Sequence, residues 1–280
     1  MAYYFGRGIQ EKLKVPVGLV TCAYGASTIV SWIREEALAA HPQFKGLLEV
    51  FCRKYLVFRD DLKQFLDYGN ALAKFKTGKA PKNPDPFEDQ HNPFVLHNGM
   101  VAPVLPYAIR GVIWYQGESN LNTRSLCADL QQTVIEDWRA QWGNPELPFY
   151  LVQLAPNKAP SKESGGGQLA EVREVQAKAL TLPHTGMAVT LDIGGEKEKD
   201  VHPRNKLDVG KRLARLARTG TYRKAAEASG PVFRESTIQN GRIRMLFDHA
   251  GSGLVAKNGA LQQFAIAFSE GREITHGPAD

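Results

Sequence analysis

The 280 residues predict an α/β chain built on a parallel sheet with helices on both faces. Three observations carry this. Short apolar runs rich in β-branched and aromatic residues, such as Val112-Ile-Trp-Tyr115, alternate with longer amphipathic stretches. The runs are apolar throughout rather than alternating, as a strand covered on both faces requires. They also end abruptly, as in Gln116-Gly-Glu-Ser-Asn120, at polar or glycine-containing turns. The length suits one large domain or one domain with an appendage, and 43% hydrophobic residues supply a core.

In chain order, residues 1–13 place Tyr4, Phe5, Ile9 and Leu13 on one face of a helix. Val15–Cys22 reads as a strand, and Gly25–Thr28 as a turn into a helix carrying Ile29, Trp32 and Ile33. Residues 45–76 form one long helix or two short ones. The Pro-, Lys- and Asp-rich stretch 77–93 is an exposed loop. Asn98–Tyr107 is a short helix leading into the strand at 112–115. A helix over 122–142 follows, then a strand in Pro148–Leu154, a Lys/Ser/Gly segment at 158–167 and a helix over Leu169–Leu182. Met187–Ile193 is the next strand, and Asp208–Ala217 is helical. After Ser229 the pattern changes to short strands with glycine turns, at Arg242–Asp248, Gly253–Ala256 and Phe264–Phe268. The predicted division is therefore an α/β domain over 1–228 and a small antiparallel β appendage with an irregular tail over 229–280.

Composition narrows the function. A formal charge of +6 without a basic stripe interleaved with aromatics argues against nucleic acid as a partner. Cys22, Cys52 and Cys127 have no metal-ligand spacing, and an odd count does not make a full disulfide framework. Cys22 reads as a small core residue. No apolar run reaches the length of a membrane span, and the first residues lack the apolar stretch of a signal peptide.

Ligands of open α/β sheets bind beyond the carboxyl ends of the strands, so the chemistry is sought there. The turn 116–120 places an amide, a carboxylate, a hydroxyl and a second amide at such an end; its plain alternative is a strand-to-helix turn capped by Asn120 or Asn122. A second cluster, Asp200-Val-His-Pro-Arg-Asn-Lys206, follows the 187–193 strand. A histidine oriented by a carboxylate can act as general base and then general acid, and Asp200 is near enough to His202 in sequence to do so. A third, Tyr24-Gly-Ala-Ser27, offers a backbone N–H at Gly25 as an oxyanion donor; the alternative is a turn capped by Ser27 or Thr28.

Together these blocks resemble the sialate O-acetylesterase branch of the SGNH hydrolases, which also includes acetylxylan-type carbohydrate esterases. Trp114-Tyr-Gln-Gly-Glu-Ser-Asn120 is the strongest match. Val15-Pro-Val-Gly-Leu-Val20, the turn from Gly25 to Trp32, Asn98-Gly-Met-Val-Ala-Pro103, Asp137-Trp-Arg139, Leu147–Leu154, Arg173-Glu-Val-Gln176, Asp200–Lys206 and Val209–Leu213 accompany it in order. The resemblance implies a flavodoxin-like three-layer α/β/α fold and hydrolysis of acetyl esters on sugars by serine and histidine acyl transfer. It implies His202 as base, Asp200 or Glu118 as its orienting carboxylate, and Gly25 and Gln116, with Asn120, around the oxyanion. No metal or organic cofactor is implied; the partner is an acetylated carbohydrate, not nucleic acid or membrane.

The chain departs from the family at the nucleophile. The family's serine lies in a Gly-Gln-Ser-Asn-Met segment after a strand that precedes the first helix, and no Gly-Gln-Ser-Asn occurs in these residues. Neither does a Gly-x-Ser-x-Gly elbow. That strand is central in the fold, so a gap in the sheet is expected. Three readings stand open: a piece of an esterase, an esterase using a substitute serine (Ser27 first, Ser119 second), or a non-catalytic relative that binds acetylated sugars.

Overall fold

Strand β2 (Phe149–Val152) is buried at every residue, because helices cover both of its faces. Phe149 and Leu151 point into one apolar cluster, Tyr150 and Val152 into another. This is the period-2 alternation of a strand, with apolar residues needed on both sides. In the computed structural model, which describes residues 1–156, 167–194, 201–256 and 259, β1 (Val112–Trp114) and β3 (Thr185–Ala188) flank β2. Both pair in parallel with it, Trp114 opposite Leu151 and Val152 opposite Ala188.

The first cluster lies under helices α2 (Glu35–Ala39), α3 (Lys45–Asp60) and α5 (Cys127–Gln141). Leu38, Phe51, Leu130, Val134 and Trp138 are the knobs they contribute. The second cluster lies under α1 (Ala2–Leu13) and α7 (Lys206–Gly220), through Ile9, Val209, Leu213 and Ala217. The three layers are thus helix, sheet and helix, as predicted. Helix α4 (Leu62–Lys74) follows α3 after a break at Asp61, whose side chain caps it by accepting from the Lys63 N–H; α6 (Gln168–Ala177) precedes β3. Strands β4 (Val232–Gln239) and β5 (Arg242–Asp248) pair antiparallel as a separate sheet.

Helices α1 and α7 cross closely at Gly210. A Cβ there would lie 2.6 Å from Tyr4 Cβ and 2.9 Å from the Phe5 nitrogen. In a helix interior, Gly→Ala ordinarily gains up to about 1 kcal/mol. Here the methyl has no room, and Gly210→Ala is expected to destabilise by about 1–3 kcal/mol, the usual cost of overpacking. A melting temperature above wild type would show that the helices can separate without cost.

Several sequence expectations need correction. Val15–Cys22 is not a strand. Among the described residues it joins no sheet, and Leu19 and Val20 are 44% and 55% exposed. Its apolar residues still divide between the two faces, Val17 against the second cluster and Cys22 against the first. It therefore runs as an extended stretch without a ladder partner, while β1 is left as the edge of the sheet. A strand needs a neighbour to satisfy its backbone groups. Strand β3 starts earlier than predicted and ends at Ala188, beyond which Thr190 turns to donate its hydroxyl to Gln153 O. β4 was not anticipated, and Gly253–Ala256 forms no strand. The predicted Phe264–Phe268 strand and nearly all of the 158–167 segment lie outside the described residues.

Candidate active site

The carboxyl ends of β1 and β2, together with the loop that follows β3, converge on one rim. The turn after β1 is locked by side-chain amides. Gln116 Nε2 donates to Ser27 O and to Asn120 Oδ1, each at 2.7 Å. Asn120 Oδ1 also accepts from the Ile29 N–H at 3.1 Å, and Asn120 Nδ2 donates to Thr123 Oγ1. The turn after β1 and the turn at 27–29 are therefore one hydrogen-bonded unit, with Gln116 and Asn120 both buried.

Gln176, on α6, ties this unit to the next strand. Its Nε2 donates to Gln116 O at 3.1 Å, and its Oε1 accepts from the Leu154 N–H at 3.0 Å, just past β2. The Arg173–Gln176 block was part of the family likeness without a role. A glutamine on the buried side of an otherwise amphipathic helix is the signal that could have marked it.

His202 is exposed in the loop that enters α7. That loop is pinned where its ends meet. At Gly194, whose φ of +119° suits only glycine, a Cβ would stand 3.4 Å from Pro203 Cβ and 3.3 Å from Pro156 O. Pro203 is buried, and Asn205 caps α7 by accepting from the Asp208 N–H. The predicted partner Asp200 lies outside the described residues.

Glu118 faces this loop. Burial pushes its carboxyl above the usual value, while the nearby His202 and Lys206 draw it back in part. Tyr115 is pushed up to about 12, by burial first and then by the charge of Glu118. Lys206 Nζ sits 4.9 Å from the centre of the Tyr115 ring, a cation–π contact. A carboxylate, an imidazole and an ammonium group thus share the rim with the Gln116 turn. Lys206 stood in the sequence block without a role.

The raised Glu118 carboxyl has a pH signature. The folded state holds this proton more tightly than the unfolded chain does. Stability therefore falls as pH rises from the ordinary glutamate range through the raised folded value, and is level above it. Glu118→Gln is expected to raise neutral-pH stability by about 1 kcal/mol, in the range typical of relieving one compromise at a functional site. The gain should vanish below the ordinary glutamate range. Thermal melts at neutral and acidic pH check this; a gain of the same size at both would mean that the charge is not its source.

The remaining predicted residues are placed as follows. Ser27 is 6% exposed, and its Oγ accepts from Trp32 Nε1 at 3.0 Å. Gly25 lies in an exposed turn with nothing within 4 Å of where a Cβ would stand. Ser119 is half-buried beside Glu118. For Gln116 the expected donation to an oxyanion meets an obstacle. Its amide has two protons, and both are already engaged. No group of three or more His, Cys, Asp or Glu that could hold a metal ion occurs among the described residues, and none of their helices is long and apolar enough to cross a membrane.

Residues 92–219 match the family model for carbohydrate esterase, sialic acid-specific acetylesterase. Human sialate O-acetylesterase is 28% identical over 238 residues, covering 79% of this chain and 39% of the human protein. The mouse protein is 28% identical over 270 residues, covering 89% of this chain and 48% of its own length. The chain thus spans less than half the length of these curated relatives. The crystal structure of a carbohydrate acetylesterase from Xanthomonas citri superposes with a TM-score of 0.73 at 30% identity, covering 100% of this chain and 54% of that one. By sequence across residues 92–219, and by fold along its length, the chain is similar to carbohydrate esterases of the sialic acid-specific acetylesterase kind.

Proposed function

We propose that this chain hydrolyses O-acetyl esters of sugars, sialic acids among them, by acyl transfer through a serine. One observation carries the reading: Glu118, His202 and the Gln116 turn share one rim of the sheet, beyond its strands' carboxyl ends. In the proposed mechanism His202 takes the proton of the serine hydroxyl as the oxygen attacks the acetyl carbonyl. It then returns the proton to the leaving sugar oxygen. Water, activated by the same imidazole, releases acetate. Glu118 or Asp200 orients the ring, and the Gly25 N–H supports the oxyanion, with Asn120 holding the turn.

Ser27 is the proposed nucleophile. It lies in the turn that Gln116 grips, and its Oγ accepts from Trp32 without a hydrogen bond to donate among the described residues, which leaves its proton for a base. Ser119 is the comparison.

The test measures acetate release from p-nitrophenyl acetate and from O-acetylated N-acetylneuraminic acid by wild type, His202→Ala, Ser27→Ala and Ser119→Ala. Turnover by wild type that is lost in His202→Ala and Ser27→Ala is the expected result. Loss in Ser119→Ala alone would transfer the nucleophile to Ser119. Equal release by wild type and His202→Ala would end the esterase reading for this chain and leave acetyl-sugar binding.

A further inference from the structure

We infer that Arg173 is a specificity-determining residue: its guanidinium takes the carboxylate of an acidic sugar that brings its acetyl ester to the rim. Arg173 stands on α6 between two residues already tied to the chain that follows β1. Two positions earlier, Glu171 pairs with Arg124 Nε at 2.6 Å, in the helical turns Glu118–Leu126. Three positions later, Gln176 holds Gln116 O and the Leu154 N–H. The Arg173 carbonyl itself accepts from Gln153 Nε2 at 3.4 Å, one residue beyond the end of β2. Gln153 O in turn accepts from Thr190 Oγ1, past β3. The backbone of Arg173 is therefore fixed at the carboxyl ends of the strands, on the rim that carries Gln116, Glu118 and the loop of His202.

What the guanidinium lacks is an anion. Among the described residues it has no ion pair and no hydrogen-bond acceptor, and burial pulls it below the ordinary arginine value with no charged neighbour opposing the shift. The other half-buried arginines differ. Arg34, Arg124 and Arg212 have Asp137, Glu171 and Asp192. Arg218 lies in the last turn of α7, where the helix dipole favours a cation. Arg173 also stays within reach of a ligand. It is half-buried and its side-chain nitrogens keep contact with solvent, whereas Arg218 Nε is sealed. A guanidinium keeps its charge at any working pH and matches a carboxylate with two parallel hydrogen bonds. A cation drawn part-way out of water is costly until such a partner arrives. Neutral sugars bring none; sialic acids carry a carboxylate on the anomeric carbon.

The ligand class rests on the proposed esterase function, and the test keeps the two apart. Acetate release is measured from O-acetylated N-acetylneuraminic acid, from its C1 carboxamide, which keeps the shape without the charge, and from p-nitrophenyl acetate. Wild type is expected to favour the acid over the carboxamide by about 10- to 100-fold in kcat/KM, the worth of one charge-assisted pair open to water. In Arg173→Met the loss on the acid should exceed the losses on the carboxamide and on p-nitrophenyl acetate by that same factor. Arg173→Lys keeps the charge without the fork and should retain part of the preference.

Equal wild-type rates on acid and carboxamide would overturn the inference, and this arm needs no variant. So would a preference that survives in Arg173→Met, which would pass the carboxylate to another cation such as Lys206. Equal losses on all three esters would make Arg173 a part of the fold only, and would also overturn it. If wild type cleaves neither sugar ester, the sugar-esterase reading fails on its own, and N-acetylneuraminic acid and its carboxamide are compared as ligands by saturation-transfer NMR. Binding of the acid alone, lost in Arg173→Met, supports the inference; any other result overturns it.

Discussion

Replacing His202 by alanine is expected to lower kcat/KM for p-nitrophenyl acetate by about 10²–10⁴-fold, the range spanned by a positioned general base. The imidazole has two tasks in the proposed cycle, taking a proton from serine and giving one to the leaving oxygen. Glu118 lies on the same rim, but burial holds its carboxyl above the usual value. Ser27→Ala is expected to lose as much, and the double variant little more than either single one. Residues that act as a unit do not add. Additive losses would show that the two groups work in separate events. Because His202 is exposed and its loop is also pinned at Gly194 and Pro203, the melting temperature of His202→Ala should stay near that of wild type.

The largest stability effect is expected at Asp137. Its side chain is 0% exposed and accepts three hydrogen bonds: from Arg34 Nε at 2.7 Å, from the Arg34 N–H at 3.0 Å and from Gln141 Nε2 at 3.0 Å. The two bonds from Arg34 tie the segment after the 27–33 turn to α5. Asp137→Ala would strand a backbone donor, an amide and a guanidinium that is 37% exposed. Losing partners of this kind costs about 2–4 kcal/mol in all; water reaching Arg34 keeps the cost below that of a fully buried pair. A drop of roughly 5–10 °C in melting temperature is the corresponding shift. Asp137→Asn keeps the shape and one acceptor and should lose less than half as much. Equal losses would mean that the cavity, not the hydrogen bonds, sets the cost.

Much of the architecture was legible because it is local. The apolar run at 112–115 and the continuous run at 149–152 read as strands, and the 3.6-residue spacing of Tyr4, Phe5, Ile9 and Leu13 marked α1. Val15–Cys22 misled for the same reason. Its composition is that of a strand, but a strand is a property of a pair, and no partner lies beside it among the described residues. β4 was missed because its alternation is diluted by Arg234, Glu235 and Ser236 on a strand exposed along its length.

The site divides the same way. Residue types at strand ends marked 116–120, 202 and 25–27 as chemistry-bearing, and block order pointed to the family. The sequence alone thus determined the layers of the fold and suggested the cast of the proposed site. It could not say that Asp137, Trp138 and Arg139 are neighbouring ties to separate loops, holding Arg34, Trp32 O, and the carbonyls of Leu147 and Pro183. Nor could it show that Gln116 has spent both protons. Those facts belong to the tertiary structure, because a side chain's donors are assigned by whatever packs around them, and the partners of Gln116 include Ser27, far away in sequence. Hydrophobic period is written into a segment; hydrogen-bond polarity is settled only when distant segments meet.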